Sequence, residues 1–290
     1  MEAFLRYIAS QDFAIDQRWG YAFLQEILLS KSMGIDIEAQ FAQQREESNS
    51  IDFLTRKGQL LGTNLTDVPA NSIAVVSYSG VMMVNDGWCS SGVKSFDKRV
   101  RALYESSAVR GILFEMDTGG GQADAGDIMF NTLADKNKPV VIHTTMMASA
   151  GINGGLQATE IIAAAPSTKI GSIGVMATLS KKGLAELAED NPEGEHTIYS
   201  RTSPNKNKEL RQAIQGNFIP YEDFITKIDA SFMEKVRKNR DLKGSAERQE
   251  HTLSGELFLA KEAKSRGLID GIGSRNYALR RLNSHINFSK

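Results

Sequence analysis

The chain has 290 residues, 41% of them hydrophobic, with 34 Lys+Arg against 35 Asp+Glu and a formal net charge of −1. That balance suits a globular chain with one large core or two small ones, and it argues against non-specific nucleic-acid or anionic-membrane binding, which needs clustered positive charge. A single cysteine, Cys89, and four scattered histidines exclude an internal disulfide, zinc ribbons and HExxH-type centres.

Residues 1–30 include Asp12, Asp16, Arg18 and Glu26 and no continuous apolar run, unlike a secretory signal, so the chain is expected to stay in the cytoplasm. Trp19, Phe23, Leu24, Ile27 and Leu28 recur at helical spacing behind Asp16, predicting an amphipathic N-terminal helix. Residues 38–70 are polar and broken by Gly58, Gly62 and Pro69, which predicts a connection or helical arm with a boundary near 65–72. Short apolar, β-branched runs follow at 73–78, 111–116, 140–143 and 160–164, separated by helical patterns at about 95–107, 122–136 and 151–158. Strands alternating with helices predict an α/β domain with a mostly parallel sheet under helical cover. Two further helices are predicted at 218–240 and at 256–266, the second ending at Gly267. The uncharged run 139–159 approaches a membrane span in length. Its Thr144, Thr145, Asn153, Gln157 and glycines are costly in hydrocarbon, so it reads as a buried segment around a site.

Two glycine-rich turns follow predicted strands. Asp117-Thr118-Gly119-Gly120-Gly121 lets backbone N–H groups converge on a phosphate or a developing oxyanion, or it is simply a tight strand-to-helix turn. It lacks the GK[ST] of a P-loop, and Asp124 stands where a dinucleotide fingerprint has its last glycine. Met147-Ala148-Ser149-Ala150-Gly151 places a serine on a small-residue turn at the start of a helix, as in a nucleophile elbow; the alternative is a serine that only caps the helix. Turns at the ends of successive parallel strands lie side by side, and this adjacency favours catalysis.

A serine nucleophile needs a base. His143 lies in the preceding strand and cannot easily fold back onto Ser149, and nothing around His196 suggests a triad. A lysine whose pKa is lowered by burial is the other partner a serine can use, which directs attention to the lysines after a predicted strand at 196–200.

The order of these motifs resembles the signal peptide peptidase A family of serine peptidases. It comprises the Asp117 glycine turn, Pro139-Val140-Val141 running into Ala148-Ser149-Ala150-Gly151, Gly171-Ser172-Ile173-Gly174-Val175, Ser254-Gly255, and Ala260-Lys261-Glu262-Ala263 ending in Gly267-Leu268-Ile269-Asp270. The resemblance covers roughly residues 72–273. It implies a ClpP/crotonase-like spiral of ββα units, a Ser-Lys dyad and no cofactor. Position by position, Ser149 matches the nucleophile, Gly120 and the Ala150 amide the oxyanion hole, and Ser172 a serine that orients the lysine. The family's Gly-x-x-Lys is replaced here by Ser200-Arg201-Thr202-Ser203-Pro204-Asn205-Lys206-Asn207-Lys208. Lys206 is the favoured base and Lys208 the alternative, Arg201 being excluded because guanidinium does not deprotonate near neutral pH.

The implied layout is an N-terminal helical arm over 1–70, a peptidase domain over 71–275 and a tail over 276–290, with no membrane anchor. Asp12-Phe13-Ala14-Ile15-Asp16 before an amphipathic helix resembles the phage and prophage branch. That likeness implies a capsid, scaffold or portal protein as substrate, a homo-oligomeric ring in which a neighbour's lysine can approach the serine, no nucleic-acid partner, and a place in the host cytoplasm or the prohead. Two alternatives remain. One is a crotonase-like acyl-CoA enzyme with Asp117 or Asp124 as a carboxylate base; the other is a non-catalytic assembly module on the same fold.

Overall fold

The computed structural model describes residues 13–15, 50–86, 91–179, 181–188 and 198–288. The predicted N-terminal helix, Cys89 and His196 lie outside them. Two compact units divide the chain: a larger one of 14–174 and 232–290, and a smaller one of 1–13 and 175–231. The expected single domain over 71–275 therefore contains an insertion.

In chain order the strands are β1 (Phe13–Ile15), β2 (Ile51–Leu54), β3 (Leu60–Gly62), β4 (Ser72–Ser79), β5 (Val109–Thr118), β6 (Gly120–Gln122), β7 (Val140–Ala148), β8 (Glu160–Ala163), β9 (Lys169–Gly171), β10 (Leu257–Leu259) and β11 (Gly271–Ile272). The helices are α1 (Val93–Glu105), α2 (Ala123–Ala134), α3 (Ala150–Gly155), α4 (Lys181–Glu186), α5 (Lys208–Ile214), α6 (Ile219–Asn239), α7 (Ala246–Thr252), α8 (Ala260–Ser265) and α9 (Arg275–Phe288).

Within the larger unit, nine strands form one sheet, ordered β10-β9-β7-β5-β4-β2-β3, with β8 beside β7 and β11 beside β8. The β4, β5 and β7 pairings are parallel, as the α/β pattern predicted. Strand β7 divides its partners, its first half running parallel to β8 and its last three residues to β9, so its C-terminal end emerges between neighbours at the edge of a turn.

Alternation along each strand decides which layer it feeds, because successive side chains point to opposite faces. Ala74, Val76, Ile112, Phe114, Val140 and Ile142 face the core formed with α1, α2 and α3, while Ile73, Val75, Leu113 and Val141 face α9. Both faces are covered, which is why these runs carry almost no polar residue.

Three expectations are corrected here. The segment 38–70 is not only a connection, since β2 pairs antiparallel with β4 and β3 with β2, extending the sheet. The tail over 276–290 is instead helix α9, whose Ala278, Leu279, Leu282 and Ile286 are buried on the sheet; Arg281–Glu160 and Arg275–Glu115 ion pairs fix its direction. The predicted helix at 256–266 begins as strand β10, because Leu257–Leu259 find backbone partners on β9 and bury Phe258, leaving only Ala260–Ser265 helical.

In the smaller unit, 198–200 are not strand, α5 follows Asn207 in a left-handed conformation, and Arg211 lies over the Tyr199 ring with its carbon 4.7 Å from the centroid. Among the described residues no helix is long and apolar enough to cross a membrane.

Candidate active site

Strand β7 ends at Ala148, and Ser149 turns the chain into α3 with φ +53° and ψ −116°. Residues bearing a Cβ rarely adopt this conformation, and it persists only where the surroundings enforce it. They do so through the main chain: the Ser149 N–H donates to the Gly171 carbonyl at 2.8 Å, and its own carbonyl accepts the Asn153 N–H at 3.1 Å. The hydroxyl does not cap the helix. It donates instead to the Gly174 carbonyl at 3.2 Å, and the residue is only 1% exposed. A serine that merely capped α3 would spend its oxygen on the α3 amides and would not need a positive φ. Ala150 opens α3, so its N–H has no acceptor within the helix.

The second turn stands at the end of β5. Gly120 has φ +102°, and its N–H donates to Thr118 Oγ1 at 3.1 Å, while that hydroxyl donates to the Gly80 carbonyl at 2.6 Å. The Met82 N–H donates to the Gly120 carbonyl and the Gln122 N–H to the Met82 carbonyl, both at 2.8 Å. A Cβ at Gly121 would fall 2.0 Å from the Met82 carbonyl oxygen, so this approach requires glycine.

The two turns touch. A Cβ at Gly151 would lie 2.6 Å from Thr118 Cγ2, so the first turn of α3 packs directly on the residue that holds the Gly120 amide. The uncharged run 139–159 is thus the strand, elbow and buried helix around Ser149, as expected. Its missing charges reflect burial in protein: Ala150, Gly151, Ile152, Asn153, Gly154 and Gly155 are all buried.

Ser172 lies just past β9 with φ +52°, and its N–H donates to the Glu256 carbonyl at 2.7 Å. The stretch from Gly171 to Gly174 therefore supplies both carbonyls that receive Ser149. The larger unit brings together Ser149, Ala150, Gly120 and the Ser172 loop. Lys206 and Lys208 belong to the smaller unit. Lys206 is exposed in a turn where its N–H donates to the Ser203 carbonyl at 3.2 Å, and exposed Lys208 starts α5. Asp117 and Asp124 are both exposed, and His143 Nε2 lies 3.1 Å from the Gly273 carbonyl oxygen.

Sequence reasoning missed the polar support of α3. Asn153, 4% exposed, donates through Nδ2 to Asp127 Oδ1 at 2.6 Å, and Lys235 Nζ pairs with the same oxygen at 2.5 Å. This links the serine helix to α2 and α6. No spacing rule connects residues on three separate elements. Beside the glycine turn, burial pushes the Tyr78 phenol above its usual range. No cluster of His, Cys, Asp and Glu suited to a metal occurs among the described residues.

No family model matches the chain. It is 29% identical over 202 residues to the chloroplastic serine protease SPPA of Arabidopsis thaliana, covering 67% of this chain and 29% of that one. It is 26% identical over 228 residues to Protease 4 of Haemophilus influenzae, covering 75% and 35%. The chain thus spans about a third of the length of these curated relatives. Among solved structures, a ClpP1 mutant from Listeria monocytogenes is 16% identical with a TM-score of 0.44, covering 71% of this chain and 94% of that one. An enoyl-CoA hydratase/isomerase family member is also 16% identical, with a TM-score of 0.43, covering 76% and 74%. Over two thirds or more of its length, this chain is similar in sequence to curated proteases, one of them named a serine protease.

Proposed function

We propose that this chain is a serine endopeptidase of the signal peptide peptidase A type, on a ClpP/crotonase-like fold, with Ser149 as nucleophile and a lysine as general base. The supporting observation is the Ser149 turn: a buried serine at φ +53° whose hydroxyl is not used as a cap and which packs beside the glycine turn that carries Gly120. Similarity to proteins named SPPA and Protease 4 supports the same reading.

In this mechanism Ser149 Oγ attacks the peptide carbonyl as its proton passes to the amine of Lys206, with Lys208 the alternative base. The Ala150 amide, joined by the Gly120 amide as it exchanges Thr118 Oγ1 for the substrate oxygen, holds the resulting oxyanion, a contribution of typically about 3 to 4 kcal/mol for one such donor. The lysine then returns its proton to the leaving amine, and water hydrolyses the acyl-serine. Ser172 orients the lysine, and no cofactor takes part.

For the substrate we favour a capsid, scaffold or portal protein cut during phage head assembly, in the host cytoplasm or the prohead, by a homo-oligomeric ring. The Asp12–Asp16 stretch supports the phage branch, and the exposed Phe218, Ile219 and Phe224 of the smaller unit support self-association. A fluorophosphonate probe followed by peptide mapping tests the chemistry: label confined to Ser149, and no cleavage of a capsid protein by Ser149→Ala, is the expected result. A Ser149→Ala chain that still cleaves removes the assignment, and parallel Lys206→Ala and Lys208→Ala chains decide between the bases.

A further inference from the structure

Strand β6 carries Gly120 and runs directly away from the glycine turn. One of its edges is taken by Met82, which bonds Gly120 and Gln122. Because backbone groups alternate sides along a strand, the N–H and C=O of Gly121 point to the opposite edge. That edge is occupied. Strand β1, Phe13–Ile15, pairs with β6 in a two-stranded sheet separate from the main one. Ala14 and Ile15 of β1 belong to the same unit as β6.

We infer that the Gly121 edge of β6 is a binding site for an extended polypeptide, and that the chain's own segment around Phe13–Ile15 fills it and competes with substrate. An exposed strand edge recognises another chain through main-chain hydrogen bonds, whatever its side chains. A peptide whose scissile carbonyl sits between Ser149 and the Gly120 amide must leave the oxyanion turn alongside the strand that turn opens. Residues 13–15 hold the strand position that such a peptide needs. This also accounts for Asp12-Phe13-Ala14-Ile15-Asp16, a short apolar run between two acids to which the proposed chemistry assigns no role. The inference rests on the peptidase reading for its consequence, but the pairing itself does not.

The test is a full-length double variant, Ala14→Pro with Ile15→Pro. Proline has no N–H to donate, and adjacent prolines cover both alternations of the strand. Amide hydrogen exchange at Gly121 is measured in the parent and the variant, each also carrying Ser149→Ala so that catalysis plays no part. The expected result is exchange at least about tenfold faster in the variant, with protection restored by a synthetic peptide of residues 9–19 added in trans. With Ser149 intact, KM for casein is expected to fall by about threefold or more, because a tethered competitor has been removed.

Unchanged Gly121 exchange overturns the inference. Faster exchange with an unchanged KM overturns the competition. If no form cleaves casein, the peptidase reading fails on its own, and the exchange and peptide rescue still decide whether β6 binds extended chain.

Discussion

The Gly120 amide, the expected oxyanion donor, is bonded to Thr118 Oγ1 at 3.1 Å. The same hydroxyl donates to the Gly80 carbonyl, so one buried side chain ties the end of β5 to the loop after β4. Thr118→Val keeps the shape but leaves both groups without their partner. It is expected to lower stability by about 1 to 3 kcal/mol in urea unfolding, whereas Thr118→Ser retains the hydroxyl and costs less. Equal midpoints for the two variants would rule out this role for the hydroxyl.

Ser149 holds an unfavourable backbone conformation that glycine adopts freely. Ser149→Gly is therefore expected to be more stable than Ser149→Ala by about 1 kcal/mol, with neither chain reacting with a fluorophosphonate. Thermal unfolding of the pair measures the strain stored at the turn. An Ala variant at least as stable as the Gly variant removes that strain from the account.

Helix propensity alone says that Gly151→Ala stabilises α3, by about 1 kcal/mol. The contact says the reverse, since the new methyl would lie 2.6 Å from Thr118 Cγ2 and push the helix off the glycine turn. A net loss of about 1 to 3 kcal/mol is expected, together with slower labelling of Ser149. The sign of the stability change separates the two effects.

Asp127 receives both Asn153 and Lys235. Removing it by Asp127→Ala strands the buried Asn153 amide, at a cost of about 1 to 3 kcal/mol. Lys235→Ala removes only a partly exposed ion pair, worth about 0 to 1 kcal/mol. Denaturation of the two single variants is expected to rank them in that order, with the larger loss of Ser149 labelling also in Asp127→Ala.

Leu282 is fully buried between α9 and the sheet face formed by Ile73, Val75, Leu113 and Val141. Leu282→Ala is expected to cost about 2 to 5 kcal/mol, and a chain ending at Ser274 to fail to fold cooperatively. A truncated chain that unfolds with the parent's midpoint would restore the view of 276–290 as a tail.

Much was legible in the amino-acid sequence because it depends on local rules. Period-two and continuous apolar runs marked the strands that became β4, β5, β7 and β8. Glycine turns after two of them marked the ends of β5 and β7, which the fold packs against each other, while the roles of Ser149, Gly120 and Ala150 are proposals that rest on the order of motifs.

Tertiary structure decided what depends on partners distant in the chain. Residues 257–259 are helical by pattern and strand by pairing with β9, and α9 is covered only because the second face of the sheet needs a lid. Whether Ser149 caps its helix was undecidable from a small-residue turn. It was settled by the fold, which brings the Gly174 carbonyl to the hydroxyl and the Gly171 carbonyl to the N–H of a residue held at positive φ.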